Sequence, residues 1–258
     1  MNSPSKIIHL SDTHLYENEG ELFYGKNPFR ALKEVVEFIR KEDPEVDLVV
    51  VTGDLSEDRK YTSYVLVDSL LKKLGKACCW LPGNHDDFSV LPPAIRKKYV
   101  KNEWRLGAWK FIALDTTVKG EDFGTLAEAE LQRLDVFLSE NSEQPVAVCM
   151  HHPPVDVGSE FLDSIGLTNK EAFWDRLAAH NNVKAVLCGH IHQELRIVKN
   201  GVVVSSPPST CVQWLPKSKD FKFDDRSGGY NLVTLRHDGS STIQTVRSHS
   251  ATRLKFQT

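Results

Sequence analysis

The chain has 258 residues, of which 40% are hydrophobic and 26% charged, and carries a net charge of −3. This is ordinary globular composition, long enough to bury a sizeable core, and it excludes the collagen-like and disordered classes. The slightly acidic balance also speaks against a large basic face, so a nucleic acid polymer is not the expected partner.

Residues 6–11 form the first expected strand, whose end carries Asp12 and His14. Positions two apart on an extended chain share a face, so both side chains can reach one metal ion. Asn27 has the character of an N-cap, with Pro28 at the first helical position and an apolar stripe of Phe29, Leu32, Val35, Val36 and Ile39. That helix is expected to stop by Asp43-Pro44. A continuous apolar strand over 47–52 suits a sheet covered on both faces and delivers Gly53-Asp54. A second amphipathic helix over 59–74, with Gly75 at its C-terminal turn, leads to strand 77–81. Through Pro82 this strand opens into Gly83-Asn84-His85-Asp86, which projects an amide, an imidazole and a carboxylate from one short loop. Polar groups thus stand at the end of every strand, where open α/β sheets carry their sites.

Strand 109–114 ends at Asp115, which is given a structural role. Thr125 and Glu128 have capping-box spacing ahead of a helix with Leu131, Leu134, Phe137 and Leu138 inward. Thr168 and Glu171 repeat the spacing ahead of a helix containing Phe173, Trp174 and Leu177. Strand 145–150 opens into His151-His152-Pro153-Pro154, and strand 183–188 delivers Gly189-His190-Ile191-His192. The irregular segment 155–167 between them is a candidate lid. Short alternating runs at 194–198, 202–206 and 231–236, joined by turns such as Asn200-Gly201 and Asp238-Gly239, are expected to be antiparallel strands. The whole reads as one domain over 1–258, with a core to about residue 247 and a polar tail, 248–258, expected to fray.

Five cysteines, Cys78, Cys79, Cys149, Cys188 and Cys211, fall mostly inside apolar runs and read as small buried hydrophobes in a reducing compartment. The start, Met1 to Lys6, lacks signal-peptide character, and no run approaches the length of a membrane span. The cytoplasm is therefore the expected location, with no membrane partner.

Asp12, His14, Asp54, Asn84, His151, His190 and His192 combine carboxylate, amide and imidazole donors without thiolate. Such a set suits manganese, iron, zinc or magnesium better than a cysteine-rich structural zinc site. Asp54, on the middle strand, is best placed to bridge two ions. Two divalent ions outweigh the charges of Asp12, Asp54 and one hydroxide, leaving a site suited to an anion. A pair of ions that activates water and clamps a phosphoryl oxygen leads to phosphate-ester hydrolysis. His85 is left for another task, protonating the leaving group or bonding a phosphoryl oxygen. Asp86 either orients a histidine or serves the structure of its loop.

The blocks Asp12-x-His14, Gly53-Asp54, Gly83-Asn84-His85-Asp86, His151 and Gly189-His190-x-His192, in this order and spacing, resemble the calcineurin-like metallophosphoesterases. The resemblance implies an α/β fold of four layers, α/β/β/α, in which two mixed sheets flanked by helices carry a dinuclear centre at their strand ends. It further implies one ion held by Asp12, His14, Asp54 and His192, and another by Asp54, Asn84, His151 and His190. Asp54 would bridge them, with a bridging hydroxide as nucleophile.

Trp80-Leu81-Pro82 and the segments 187–194 and 209–213 narrow the resemblance to the bacterial class III cyclic-nucleotide phosphodiesterases. This implies hydrolysis of 3′,5′-cyclic AMP, a small-molecule substrate, with two ions, foremost iron or manganese, with zinc or magnesium as alternatives. It also implies nucleotide contacts at His14, Asp54, Asn84, His85 and His192. Another small phosphate ester, a 2′,3′-cyclic nucleotide or a nucleotide monoester, is the alternative substrate. Phe161 in segment 155–167 and Trp214 beside 209–213 are expected to wall the nucleoside side.

Overall fold

The structure, a computed structural model, describes residues 3–248 and 254–257, the last four by their backbone alone. Strands β1 (Ser5–Leu10), β2 (Leu48–Thr52) and β3 (Ala77–Leu81) run parallel as neighbours. Antiparallel strands β12 (Gly229–Leu235), β13 (Ser241–Arg247) and β14 (Leu254–Gln257) complete a mixed six-stranded sheet in the order β14-β13-β12-β1-β2-β3. A second sheet of six contains β4 (Glu103–Leu106), β5 (Trp109–Ala113), β6 (Val146–Cys149), β7 (Val183–Leu187), β8 (Leu195–Lys199) and β9 (Val202–Ser206), in the order β4-β5-β6-β7-β9-β8. The hairpin expected around Asn200-Gly201 joins β8 to β9, and β9 also lies parallel to β7. Of the tail expected to fray, residues 249–253 and 258 lie outside the described residues, while 254–257 form the edge strand β14.

The alternation of side chains along each strand makes these sheets the middle of four layers. Ile7, Leu48, Val50, Ala147, Cys149, Ala185 and Leu187 point between the sheets. Their neighbours Ile8, Val49 and Val51 face helices α1 (Pro28–Glu42) and α2 (Tyr61–Leu71). On the other side Val146, Val148 and Val186 face α4 (Glu128–Glu140) and α6 (Lys170–Ala178). Both faces of these strands therefore meet an apolar layer, which is why they are largely apolar runs. Cys78 and Cys79 separate onto opposite faces, and no cysteine of the described residues is paired.

The first helix follows its sequence signals closely. The Asn27 side chain accepts from the Arg30 N–H, Pro28 opens the helix, and Asp43 closes it. The two expected capping boxes do not form: α4 starts behind Ala127 and α6 behind Asn169, neither with a side-chain cap. Residues 124–126 instead pair with 116 and 166–168, Thr125 and Thr168 bond to each other, and the Asn169 amide bonds both Leu126 N and Leu126 O. Those hydroxyls are thereby committed before either helix begins. Two short helices escaped the sequence reading, α3 (Pro93–Tyr99) and α5 (Glu160–Ser164), the latter inside the segment expected to be an irregular lid. Among the described residues no helix is long and apolar enough to cross a membrane.

His9 is fully buried on β1, bonded through Nε2 to Thr52 Oγ1 at 2.9 Å. Burial pulls its pKa down from 6.5 to about 3. The unfolded chain thus binds one more proton than the folded one between these values. Stability from neutral His9 is complete above its unfolded pKa and is lost as the pH falls. Urea unfolding between pH 4 and 6.5 should show His9→Gln with a stability slope shallower by about 1.4 kcal/mol per pH unit than wild type. Parallel slopes would mean that His9 is protonated in the fold.

Candidate metal centre

The carboxyl ends of β1, β2 and β3 and those of β6 and β7 meet at one edge of the sandwich. Backbone bonds knit the loops together: Asp12 N to Gly53 O at 3.0 Å, His14 N to Asp54 O at 2.9 Å, and Gly189 N to His151 O at 2.9 Å. All eight residues singled out in the sequence converge here. Asp12, His14, Asp54, Asn84, His151, His190 and His192 are each less than 10% exposed. His85 stands at the rim, 30% exposed.

The close fit depends on glycines. A Cβ on Gly53, whose φ is +99°, would lie 2.3 Å from His151 Nδ1, and one on Gly83 would lie 2.2 Å from Asp54 Oδ1. Strain is concentrated in the same loops. Among the described residues nine non-glycines have positive φ, and five of these are Asp12, His14, Asp54, His190 and His192. Non-glycine residues held in this region cost about 1–3 kcal/mol each and persist only where surrounding structure over-determines them.

Each histidine turns one ring nitrogen outward to an acceptor. His151 Nδ1 donates to Thr52 O at 2.7 Å, His192 Nδ1 to Val212 O at 2.9 Å, and His190 Nε2 to Ile165 O at 3.0 Å. His14 Nδ1 lies 2.7 Å from the Glu57 carboxylate. Those bonds fix the tautomers, so the inward nitrogens carry lone pairs in the neutral rings. The inward atoms then crowd one another: His14 Nε2 and His192 Nε2 at 2.9 Å, His190 Nδ1 and Asn84 Oδ1 at 3.1 Å, His151 Nε2 and Asp54 Oδ2 at 3.2 Å. Asp12 Oδ2 is buried without a partner.

Electron pairs so arranged call for cations. Donor atoms about 2.1 Å from one ion, at octahedral or tetrahedral angles, stand about 3.0–3.4 Å apart, so these separations suit metal coordination. Four inward atoms, from Asp12, His14, Asp54 and His192, all lie within 4.8 Å of one another, and His151, His190 and Asn84 gather on the other side of Asp54. The residues are arranged to hold metal ions. His152, the second histidine of its pair, is bonded at both nitrogens, to Thr116 Oγ1 and Asp122 O, and turns away from that work.

Charge distribution agrees with this. Burial, and then the neighbouring imidazoles, push His190 and His192 well below the usual range and keep them neutral. Burial raises the Asp12 carboxyl to about 6, whereas for Asp54 the pull of His151, His85 and His14 overrides burial and holds it well below the usual range. His151 is lowered by burial but raised more by Asp54, Asp12 and the bond to Thr52 together, reaching about 9. A proton there and a metal ion compete for one lone pair.

A scan of the family models matches residues 5–194 to the calcineurin-like phosphoesterases. The chain belongs to that family. Among relatives of this phosphoesterase, the 3′,5′-cyclic adenosine monophosphate phosphodiesterase CpdA of Vibrio vulnificus is 38% identical over 96% of this chain and 92% of its own. The CpdA of Pseudomonas aeruginosa is 34% identical over 90% of this chain and 86% of its own. Among solved structures, a dimetal phosphatase from Danio rerio overlays with a TM-score of 0.71 at 16% identity, covering 99% of both chains, and shares the fold.

Glu57 is the residue of this phosphoesterase that the sequence reading missed. Its carboxylate accepts from His14 Nδ1 and lies 3.0 Å from His85 Nδ1, joining the metal cluster to the rim histidine. The signal was faint: one acid three residues after Asp54, in a loop rich in acids. Asp86 proves structural, accepting from the N–H groups of Gly83, Leu55 and Ser56 and so tying two site loops together. The segment 155–167 contributes Ile165 O to His190 and buries Leu162 beside Val212 and Trp214.

Gly53→Ala should displace His151 and weaken the hold of the cluster on metal. The expected result is about 2–4 kcal/mol of lost stability together with reduced metal content by elemental analysis. Full metal content in a folded variant would show that the loops have more room than the structure gives them.

Proposed function

We propose that this phosphoesterase hydrolyses 3′,5′-cyclic AMP to 5′-AMP at a dinuclear metal centre. The observation that carries the reading is the pair of donor sets sharing Asp54, with His85 at its open rim, in a chain 38% identical along 96% of its length to a cyclic AMP phosphodiesterase. Asp12, His14, Asp54 and His192 would hold one ion, and Asp54, Asn84, His151 and His190 the other. When bound, a pair of such ions polarises a phosphoryl oxygen and lowers the pKa of water towards about 7, providing hydroxide as nucleophile at neutral pH. The ligand types suit iron or manganese, and equally admit zinc or magnesium.

The remaining tasks fall to the protein. His14, Asp54, Asn84 and His192 shape the floor on which the phosphate rests, and His85 faces it from the rim. Opening the cyclic diester breaks the bond from phosphorus to the 3′ oxygen, which leaves as an alkoxide and requires a proton. His85 is the donor. Burial lowers its pKa, but the bond to Glu57 and the charges of Asp54 and Glu57 raise it to about 9, which favours the protonated ring that this step needs. Glu57, raised by burial but lowered more by its bonds to His14 and His85, sits at about 2 and keeps its charge.

The deciding experiment compares metal-loaded protein on 3′,5′-cyclic AMP, 2′,3′-cyclic AMP and AMP, with the product resolved by chromatography. Preference for 3′,5′-cyclic AMP with 5′-AMP as product supports the proposal; faster turnover of either of the others discards this substrate. In the same assay His85→Ala should retain both ions and lose about 10²–10⁴ in rate, whereas Asn84→Ala should lose metal from one position. A fall of less than tenfold for His85→Ala would remove it as the proton donor.

Because His85 must carry a proton, activity should decline as pH rises through its pKa. Glu57→Gln weakens the hold on that proton. Measured at saturating metal, because Glu57 also holds His14, the alkaline limb of kcat should then move to lower pH by about one unit or more. An unmoved alkaline limb would assign that limb to another group.

A further inference from the structure

The rim beside His14 and His192 is built of aromatic rings. Phe23 stacks on His14 with centroids 4.4 Å apart and planes 11° apart, and Trp214 stacks on His192 at 4.7 Å and 16°. These two are buried. Beyond them stand three rings that are not: Tyr24, Phe221 and Phe223, exposed to 57%, 38% and 51%. Tyr24 meets Trp214 at 5.5 Å, Phe221 at 5.6 Å and Phe223 at 5.3 Å, so the exposed rings form one continuous face.

This face is held outward by its backbone. Tyr24 and Gly25, with φ of +47° and +80°, are the central pair of a two-residue turn closed by Phe23 and Lys26. A bulky residue rarely occupies such a position; here it sets the Tyr24 ring against Phe23, Trp214, Phe221 and Phe223 while leaving more than half of the side chain in solvent. The other two rings belong to the hairpin of β10 (Gln213–Trp214) and β11 (Phe223–Asp224) and its loop. Arg226 bonds Asp224 and Glu194, Arg247 bonds Gln213 and Glu194, and Ser159 Oγ bonds the loop at Ser218 O, so the hairpin is fixed from three sides.

Building on the proposed phosphodiesterase reading, we infer that Tyr24, Phe221 and Phe223 are specificity-determining residues that stack against the base of the substrate nucleotide. A nucleotide's base is set off from its phosphate by one sugar ring. The exposed face is set off from the ligand His192 by one aromatic ring, Trp214. Stacking recognises the π-face that every base has, and the three rings include a single polar tip, the Tyr24 hydroxyl. The platform therefore favours nucleotides over esters without a base, and discriminates weakly between adenine and guanine.

The test measures kcat and KM of metal-loaded wild type, Phe223→Ala and Tyr24→Ala on 3′,5′-cyclic AMP, 3′,5′-cyclic GMP and an abasic 3′,5′-cyclic ribose phosphate. Expected for both variants is a KM raised roughly ten- to a hundredfold for cyclic AMP and cyclic GMP alike, with kcat and metal content maintained and no comparable KM change on the abasic diester. An unchanged KM, or an equal loss on the abasic diester, overturns the inference. Calorimetric binding of AMP to the same proteins needs no turnover and separates this inference from the proposed activity. If wild type fails to cleave 3′,5′-cyclic diesters, that activity falls, while AMP binding weakened in both variants still supports the platform. Absent AMP binding by wild type, or equal binding by all three, overturns it.

Discussion

Four imidazoles that turn their N–H groups to fixed acceptors, and their lone pairs towards one another and two carboxylates, set the terms for the whole molecule. Such a cluster is repulsive unless positive charge enters it. His14 Nε2 and His192 Nε2 stand 2.9 Å apart, and Asp12 Oδ2 is buried without a donor. The protein holds this arrangement because the outward bonds to Thr52 O, Val212 O and Ile165 O come from backbone already fixed in its place. The affinity of the centre for cations is thus a property of the fold, and metal binding should stabilise the folded state by mass action.

Holding so many donors requires loops from two different sheets to approach within a side chain's width. The four-layer arrangement achieves this because the inner faces of both sheets are apolar, with Ala147, Cys149 and Ala185 small enough to let them approach closely. The loops then have little freedom. Gly53, Gly83 and Gly189 occupy places where a Cβ would strike His151, Asp54 or Ser11, and five of the candidate ligands take left-handed backbone conformations. That local cost is borne by the buried layers on either side, into which the loops themselves send Leu15 and Leu55.

Much of this architecture is legible in the amino-acid sequence. Strands of five or six apolar residues ending in Asp or His need only the period of a strand and the chemistry of the side chains, and 47–52 or 183–188 satisfy both. The cap and stop of α1 are equally local. What fails is local evidence overruled at a distance: Thr125 and Thr168 have the spacing of caps, but they bond each other across 43 positions in sequence. Glu57 is unreadable for a related reason. Its importance lies in facing both His14 and His85, which no spacing reveals. Asp86 sits inside the most telling motif yet serves three backbone amides, so proximity in sequence to a site is a poor guide to a role in it.

The metal cluster and the rim are mechanically joined. Phe23 and Tyr24 are adjacent in one tight turn, the first stacked on His14 and the second open to solvent, and Trp214 likewise links His192 to the exposed rings of its hairpin. On the proposed reading, a nucleotide resting on the rim would press on the same rings that brace His14 and His192. The consequence is a division of labour with little slack between its parts. On that reading, the sheet ends would supply the cleavage of a phosphate ester, and the turn at 24–25 with the hairpin at 213–224 would select what that ester carries. A Danio rerio phosphatase with 16% identity has the same fold. Similarity in the layers therefore says little about substrate, and the short segments outside the sheets are where the two would diverge.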